Sequence, residues 1–187
     1  MSATEIGGAV FGLFAVWLTV KQNVWCWPTG LVNVGLYAFV FFEAKLYADV
    51  GLQVVYFVLC ALGWWRWLHP GAERAWLPVS RIAPREALGL LGLGVLGVLG
   101  MGSFLATRTD AALPFWDSTT VVMSLIAQWL VTRKVLENWH LWIAADVLMV
   151  GIYFYKHLYV TTGLYVIFTA LAVQGLREWR RSMPTAA

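Results

Sequence analysis

Seven apolar runs of about 20 residues follow one another along the chain, and that is the length a helix needs to cross a bilayer's hydrocarbon core. They cover roughly Thr4 to Val20, Trp25 to Phe42, Tyr47 to Trp67, Glu86 to Leu105, Phe115 to Thr132, Asn138 to Tyr155 and Leu158 to Trp179. Their charged residues sit near the ends, with Asp146 the deepest carboxylate. Charged residues make up 12% of the 187, half the roughly 25% of a soluble domain. The expected fold is an all-α membrane protein of seven transmembrane helices. It forms one transmembrane domain over residues 1–187, with a first unit at 1–67, a connector at 68–114 and a second unit at 115–187. The first run reads as a span and not as a cleavable leader, because it has no basic start and no small-residue cleavage site.

Loop charges set an orientation. Lys45, Arg108 and Lys156 fall on the side of the N-terminus. Lys21, Arg66, Arg74, Arg81, Arg85, Arg133, Lys134, Arg177, Arg180 and Arg181 fall on the other. By the positive-inside rule the N-terminus is expected outside and the C-terminus in the cytoplasm. The net charge of +3 is therefore a topology signal, and its scatter argues against a nucleic-acid partner. Cys26 and Cys60 have no metal-ligand spacing and read as small buried hydrophobes.

An internal repeat organises the runs. An offset of 112 aligns Tyr47 with Tyr159, Gly51 with Gly163, Gly63 with Gly175 and Trp67 with Trp179, together with Leu46 and Leu158 and further aliphatic matches. Farther upstream an offset of 115 aligns Asn23 with Asn138, Trp27 with Trp142 and Val16 with Val131. Helices one to three thus correspond to helices five to seven, with helix four as linker. A single linking helix puts both triplets the same way up, as a parallel repeat with a site expected at their interface. The glycines of helix four, Gly89, Gly92, Gly94, Gly97 and Gly100, read as packing contacts.

Polar side chains at membrane depth usually face a protein interior or a wet cavity. Asn138, Trp142, Asp146 and Tyr153 recur at spacings of four, four and seven, which puts them on one face of helix six. Helix two carries Trp27, Asn33 and Tyr37, helix three carries Gln53 and Tyr56, and Trp139 adjoins the stripe of helix six. These nine residues, Trp27, Asn33, Tyr37, Gln53, Tyr56, Asn138, Trp139, Trp142 and Asp146, are the candidate substrate site; the amides could equally be glue between helices. Trp17, Trp64, Trp65, Trp76, Trp116, Trp129 and Trp179 read as interfacial belt residues. Aromatic faces attract organic cations, a carboxylate supplies counter-charge, and amides pair with an amide or with sugar hydroxyls. The fitting ligand is a flat, cationic, hydrogen-bonding heterocycle.

The segments "WPTG", "LYAD", "LQVVY" and "GWWRW", followed by "ENWHLW", "KHLY" and "LREW", resemble the PnuC family of bacterial vitamin transporters over nearly all of the chain except helix four. That resemblance implies a duplicated three-helix fold similar to SWEET proteins and a homotrimer in the inner membrane. It also implies facilitated diffusion of nicotinamide riboside, trapped inside by a cytosolic kinase. Thiamine, which relatives carry, is the alternative: Asn138 and Gln53 favour the riboside, whereas Asp146 and Glu137 suit an aminopyrimidine. No cofactor, metal or catalytic residue is expected. A retinal receptor would need a lysine in helix seven, and the span Leu158 to Trp179 has none. A membrane enzyme would need a metal-binding pair or an activated nucleophile within the spans.

Overall fold

The computed structural model describes residues 3–43, 45, 47–71, 76–109 and 112–183. Leu46 of the repeat and Arg74 of the charge asymmetry lie outside them. The described residues form seven helices: α1 (Ala3–Val20), α2 (Cys26–Glu43), α3 (Tyr47–Leu68), α4 (Pro84–Arg108), α5 (Pro114–Thr132), α6 (Asn138–Tyr155) and α7 (Tyr159–Ser182). Each end falls within three residues of the apolar runs. The helices α3, α4 and α7 combine the length and mean hydropathy of a membrane span. The other four have 18 or 19 residues.

Neighbour relations define a ring. Helix α1 packs on α2, α2 on α3, α3 on α5, α5 on α6, α6 on α7, and α7 closes on α1, while α4 packs on α5 alone. Six helices thus surround a central axis, and α4 stands outside. The triplets α1–α3 and α5–α7 meet along two seams, α1 against α7 and α3 against α5. Side chains of Leu88, Leu91, Leu96, Leu99 and Phe104 on α4 are exposed, as are Val147 and Phe154 on α6 and Val160 and Val166 on α7. An apolar outer surface of this kind suits lipid.

The turns repeat in detail. Gln22 and Lys134 take left-handed φ values of 55° and 50°, and Lys45 and His157 take 59° and 58°; both pairs keep the offset of 112. Asn23 N–H reaches Leu18 O at 2.9 Å and Gln22 N–H reaches Thr19 O at 2.9 Å. Val135 reaches Leu130 and Lys134 reaches Val131 in the same way, at 3.1 and 3.0 Å. Each is a left-handed helix stop that satisfies the last carbonyls of its helix. These turns have equal length, so the register stays at 112 across α1–α2 and α5–α6. The shift to 115 is therefore corrected: Trp27 pairs with Trp139, not Trp142, and Asn138 pairs with Cys26.

Where α2 meets α3 and α6 meets α7, a tryptophan lies directly against a glycine. A Cβ on Gly63 would overlap the Trp27 ring, and one on Gly175 would stand 2.5 Å from the Trp139 ring. Trp27 and Trp139 are each 2% exposed. Trp179, expected in an interfacial belt, is fully buried against this cluster, while Trp65, Trp76 and Trp116 are exposed as a belt requires. Trp129 carries the Arg66 guanidinium 4.7 Å from its ring centroid.

One feature has no counterpart in the first triplet. The stretch before α4 lies across the α5–α6 turn, with Ser80 N–H on Lys134 O at 3.0 Å and Leu136 N–H on Ser80 O at 2.8 Å. Glu137 Oε2 accepts Ile82 N–H at 3.0 Å, and Arg133 pairs with Glu86 of α4. Glu137 is thus engaged through one carboxylate oxygen by this strap at the turn.

The glycine sockets give a direct test. Gly63→Ala and Gly175→Ala each overpack a filled space, and each should destabilise by about 1–3 kcal/mol. Gly51 and Gly163 have no neighbour within 4 Å of an added Cβ. Alanine at either should be neutral or stabilising by about 0.5–1 kcal/mol through helix propensity. Melting temperatures in detergent, measured for all four variants, distinguish sockets from open sites.

Candidate functional site

Helix α6 turns its polar stripe inward. Asn138, Trp139 and Asp146 are buried, Trp142 and Tyr153 are half-buried, and His140, Ala144, Val147, Gly151 and Phe154 form the exposed face. At 1.5 Å per residue, Asp146 stands about 10 Å above Trp139 along the helix and Tyr153 about 21 Å above it. The stripe therefore spans several levels of the ring.

The middle level brings the two triplets together. Asp146 is 6% exposed and makes no hydrogen bond among the described residues. Tyr165 of α7 lies within electrostatic reach of Asp146, of Tyr153 and, across the ring, of Tyr56 on α3. The Tyr153 and Tyr165 rings lie 5.2 Å apart at 30°. Tyr56 faces the Ser124 hydroxyl of α5, and one turn below it Gln128 Nε2 approaches Cys60 Sγ at 3.5 Å. Gln53, on α3 beside Tyr56, is half-buried and has no hydrogen-bond partner among the described residues.

Above this level, Tyr153 is within electrostatic reach of Asp117, Tyr37 and Asp49, on three other helices. Tyr37 also covers Gly8 of α1, and Asn33 Nδ2 donates to Gly8 O at 2.7 Å. Asn33 therefore bonds α2 to α1.

Of the nine candidates, Tyr37 lies within electrostatic reach of Tyr153, and Tyr56 and Asp146 within reach of Tyr165. Gln53 lies on the same helix as Tyr56, one turn away, and Trp142 packs partly buried against the tryptophan cluster beneath. Trp27, Trp139 and Asn138 belong to the end of the ring that carries most basic residues. Both indole rings there are enclosed by glycine and tryptophan, which leaves no free face for a ligand in this conformation. Asn138 is fully buried, with Nδ2 on Val135 O at 2.6 Å and Oδ1 unpartnered. Sequence reasoning missed Tyr165, Ser124 and Gln128. The repeat held the signal for Tyr165, since the offset of 112 carries Gln53 onto it. Outside the ring, an open apolar groove of about 520 Å³ runs between α6 and α7, lined by Val147, Val150, Val166, Thr169, Ala170 and Val173 and ending at Arg177.

A ring of apolar-surfaced helices with polar and aromatic side chains toward its axis defines a multi-pass membrane protein built to pass a small molecule. The chain belongs to the family described as nicotinamide mononucleotide transporter, whose model matches residues 2–181. It is 30% identical over 207 aligned residues to the nicotinamide riboside transporter PnuC of Escherichia coli, covering 97% of this chain and 87% of that protein. The PnuC of Neisseria mucosa is 28% identical, with 92% and 70% covered. The riboflavin/roseoflavin transporter RibM of Streptomyces davaonensis is 24% identical, with 94% and 84% covered. The crystal structure of the vitamin B3 transporter PnuC matches with a TM-score of 0.73 at 27% identity, covering 94% of this chain and 79% of that one.

The two amides should behave differently. Asn138→Ala removes a buried donor and should lower stability by about 1 kcal/mol. Gln53→Ala removes a half-buried, unbonded side chain and should leave melting unchanged. Thermal melting without substrate checks both; equal shifts would place the two amides in the same role.

Proposed function

We propose that the chain carries nicotinamide riboside across the bacterial inner membrane by facilitated diffusion, with the nine sequence candidates divided between a central site and the closure beneath it. The observation that points to a cationic ligand is Asp146: a buried carboxylate without a hydrogen-bond partner among the described residues, within electrostatic reach of Tyr165 on α7. A carboxylate without a hydrogen-bond partner in a largely buried wall favours a ligand that brings positive charge or donors. A pyridinium riboside brings both. Family membership and the names of the two PnuC relatives support the same substrate. Asp146, Tyr37, Gln53, Tyr56 and Trp142 are the proposed contacts, with Asn33 fixing α2 beside them and Trp27, Trp139 and Asn138 below.

In this reading the molecule is not an enzyme. The riboside is trapped after entry by a cytosolic kinase, the charge asymmetry puts the N-terminus outside, and the working form is a homotrimer. The single transmembrane domain divides at 1–67, 68–114 and 115–187. Asp146 also favours a second reading, a different cationic vitamin such as thiamine, whose aminopyrimidine would donate to a carboxylate. The riboflavin relative makes substrate change within this fold a concrete option.

Calorimetry of the purified protein against nicotinamide riboside, nicotinamide mononucleotide, thiamine and riboflavin decides between them. The riboside should bind and the mononucleotide should not, because the basic residues of the helices, Arg66, Arg85, Arg108, Arg177, Arg180 and Arg181, lie near helix ends. A phosphate at mid-depth would stand without a charged donor. Trp142→Ala should weaken binding by about 0.5–2 kcal/mol if its exposed face meets the cationic ring, while belt variant Trp116→Ala leaves it unchanged. Asp146→Ala should abolish detectable binding of a cation. Tight binding of thiamine alone would move the assignment to the second reading.

Transport should equilibrate substrate across proteoliposomes without an imposed gradient, because among the described residues no hydrogen bond joins the side chains of Asp49, Asp117 and Asp146, on α3, α5 and α6, into a relay. Accumulation driven by a proton or sodium gradient would overturn facilitated diffusion.

A further inference from the structure

At the basic end of the ring four tryptophans meet, one from each of α2, α3, α6 and α7. Trp27 and Trp67 are T-shaped with centroids 5.2 Å apart, and Trp139 and Trp179 repeat that contact at 5.3 Å. Trp67 and Trp179 touch each other at 6.2 Å and 53°. Trp67 Nε1 donates to Val131 O of α5 at 3.2 Å, and Trp179 Nε1 donates to Thr19 O of α1 at 3.0 Å. Thr19 and Val131 are themselves related by the offset of 112, so the two bonds are repeats of one another, and each crosses a seam. Flanking contacts cross the same seams: Lys21 with Glu178 at 3.0 Å, Gln22 with Ser182 at 2.7 Å and Arg66 with Thr132 at 3.0 Å.

We infer that this tetrad is a clamp that shuts the basic end of the transport path, and that substrate passes there only when Trp67 and Trp179 release Val131 and Thr19. The inference rests on the transport reading for its purpose, though not for its geometry. Each T-shaped pair lies within one triplet, and so does each glycine socket, Trp27 with Gly63 and Trp139 with Gly175. Those contacts travel with their triplet as it moves. Parting the triplets breaks the single Trp67–Trp179 ring contact, the two indole bonds and the flanking polar pairs. Among the described residues the closed state also holds three buried polar atoms without partners, Trp27 Nε1, Trp139 Nε1 and Asn138 Oδ1. Opening wets them, which offsets part of the lost contact and leaves the two states close in free energy.

Two native thiols report the clamp. Cys26 adjoins Trp27 and Cys60 lies one turn before Gly63; both are buried, and the chain has no other cysteine. A membrane-impermeant maleimide is applied to substrate-free proteoliposomes from one side at a time. In the parent protein, labelling from the basic side should be slow. The double variant Trp67→Phe with Trp179→Phe keeps the rings and removes both N–H donors. Its labelling from the basic side should rise on the order of tenfold, the equivalent of losing two net hydrogen bonds. Trp116→Phe should label like the parent. If the double variant does not fold, either single variant carries the test with a rise of a few-fold. A folded variant that labels no faster than the parent, or equally faster from both sides, overturns the clamp. The readout needs no vitamin, so a wrong substrate assignment leaves it intact and its failure leaves the assignment intact.

Discussion

The structure depends on an indole ring resting on bare helix backbone. Between apolar helices in lipid there is little hydrophobic force, and association comes from close packing. Gly63 and Gly175 let α3 and α7 approach until their backbones meet the rings of Trp27 and Trp139. Each socket keys two helices of a triplet together, and each keyed tryptophan meets the next one edge-on. The seams, the ring and the central axis follow from two triplets built on that contact.

The helices were legible because bilayer thickness fixes their length, and the stripe on α6 because helical spacing gathers Asn138, Trp142 and Asp146 on one face. The repeat was legible in α3 and α7, where Gly63 and Gly175 recur for a steric reason. It was misread upstream because like residues were matched with like: Asn23 with Asn138, and Trp27 with Trp142. The backbone instead sets Asn138 against Cys26, since both turns close through the same left-handed stop at Gln22 and Lys134. Trp179 was misplaced for a related reason. A tryptophan near a helix end suits a lipid interface or a buried cluster equally well, and only its neighbours Trp67, Trp139 and Thr19 separate the two.

The frame repeats, but its surroundings do not. Lys21 and Arg133 occupy equivalent positions, yet Lys21 finds Glu178 across a seam whereas Arg133 finds Glu86 on α4. The counterpart of Glu178 is Arg66, which could only repel Arg133; it turns to Thr132 and the Trp129 ring. The strap through Ser80 then bridges to Val135 at the α5–α6 turn, so its backbone bonds tie α4 to the second triplet. Any relative motion at the basic end accordingly sets α1–α3 against a body that includes α4–α7.

The central level breaks the repeat most completely. Position by position, Asp146 answers to Val34, Gln53 to Tyr165, Tyr56 to Phe168 and Ser124 to Gly12. A vitamin with a charged ring at one end and a sugar at the other has no twofold symmetry, and a symmetric wall would offer each end the same groups. Duplicated triplets supply two matching seams that can open and close. In the proposed site, divergence at the inward positions leaves a carboxylate on α6 and none at the equivalent position of α2, which would hold a charged ligand in one orientation. Glycine and tryptophan stay paired across the repeat where the chain must pack, and drift apart where it must discriminate.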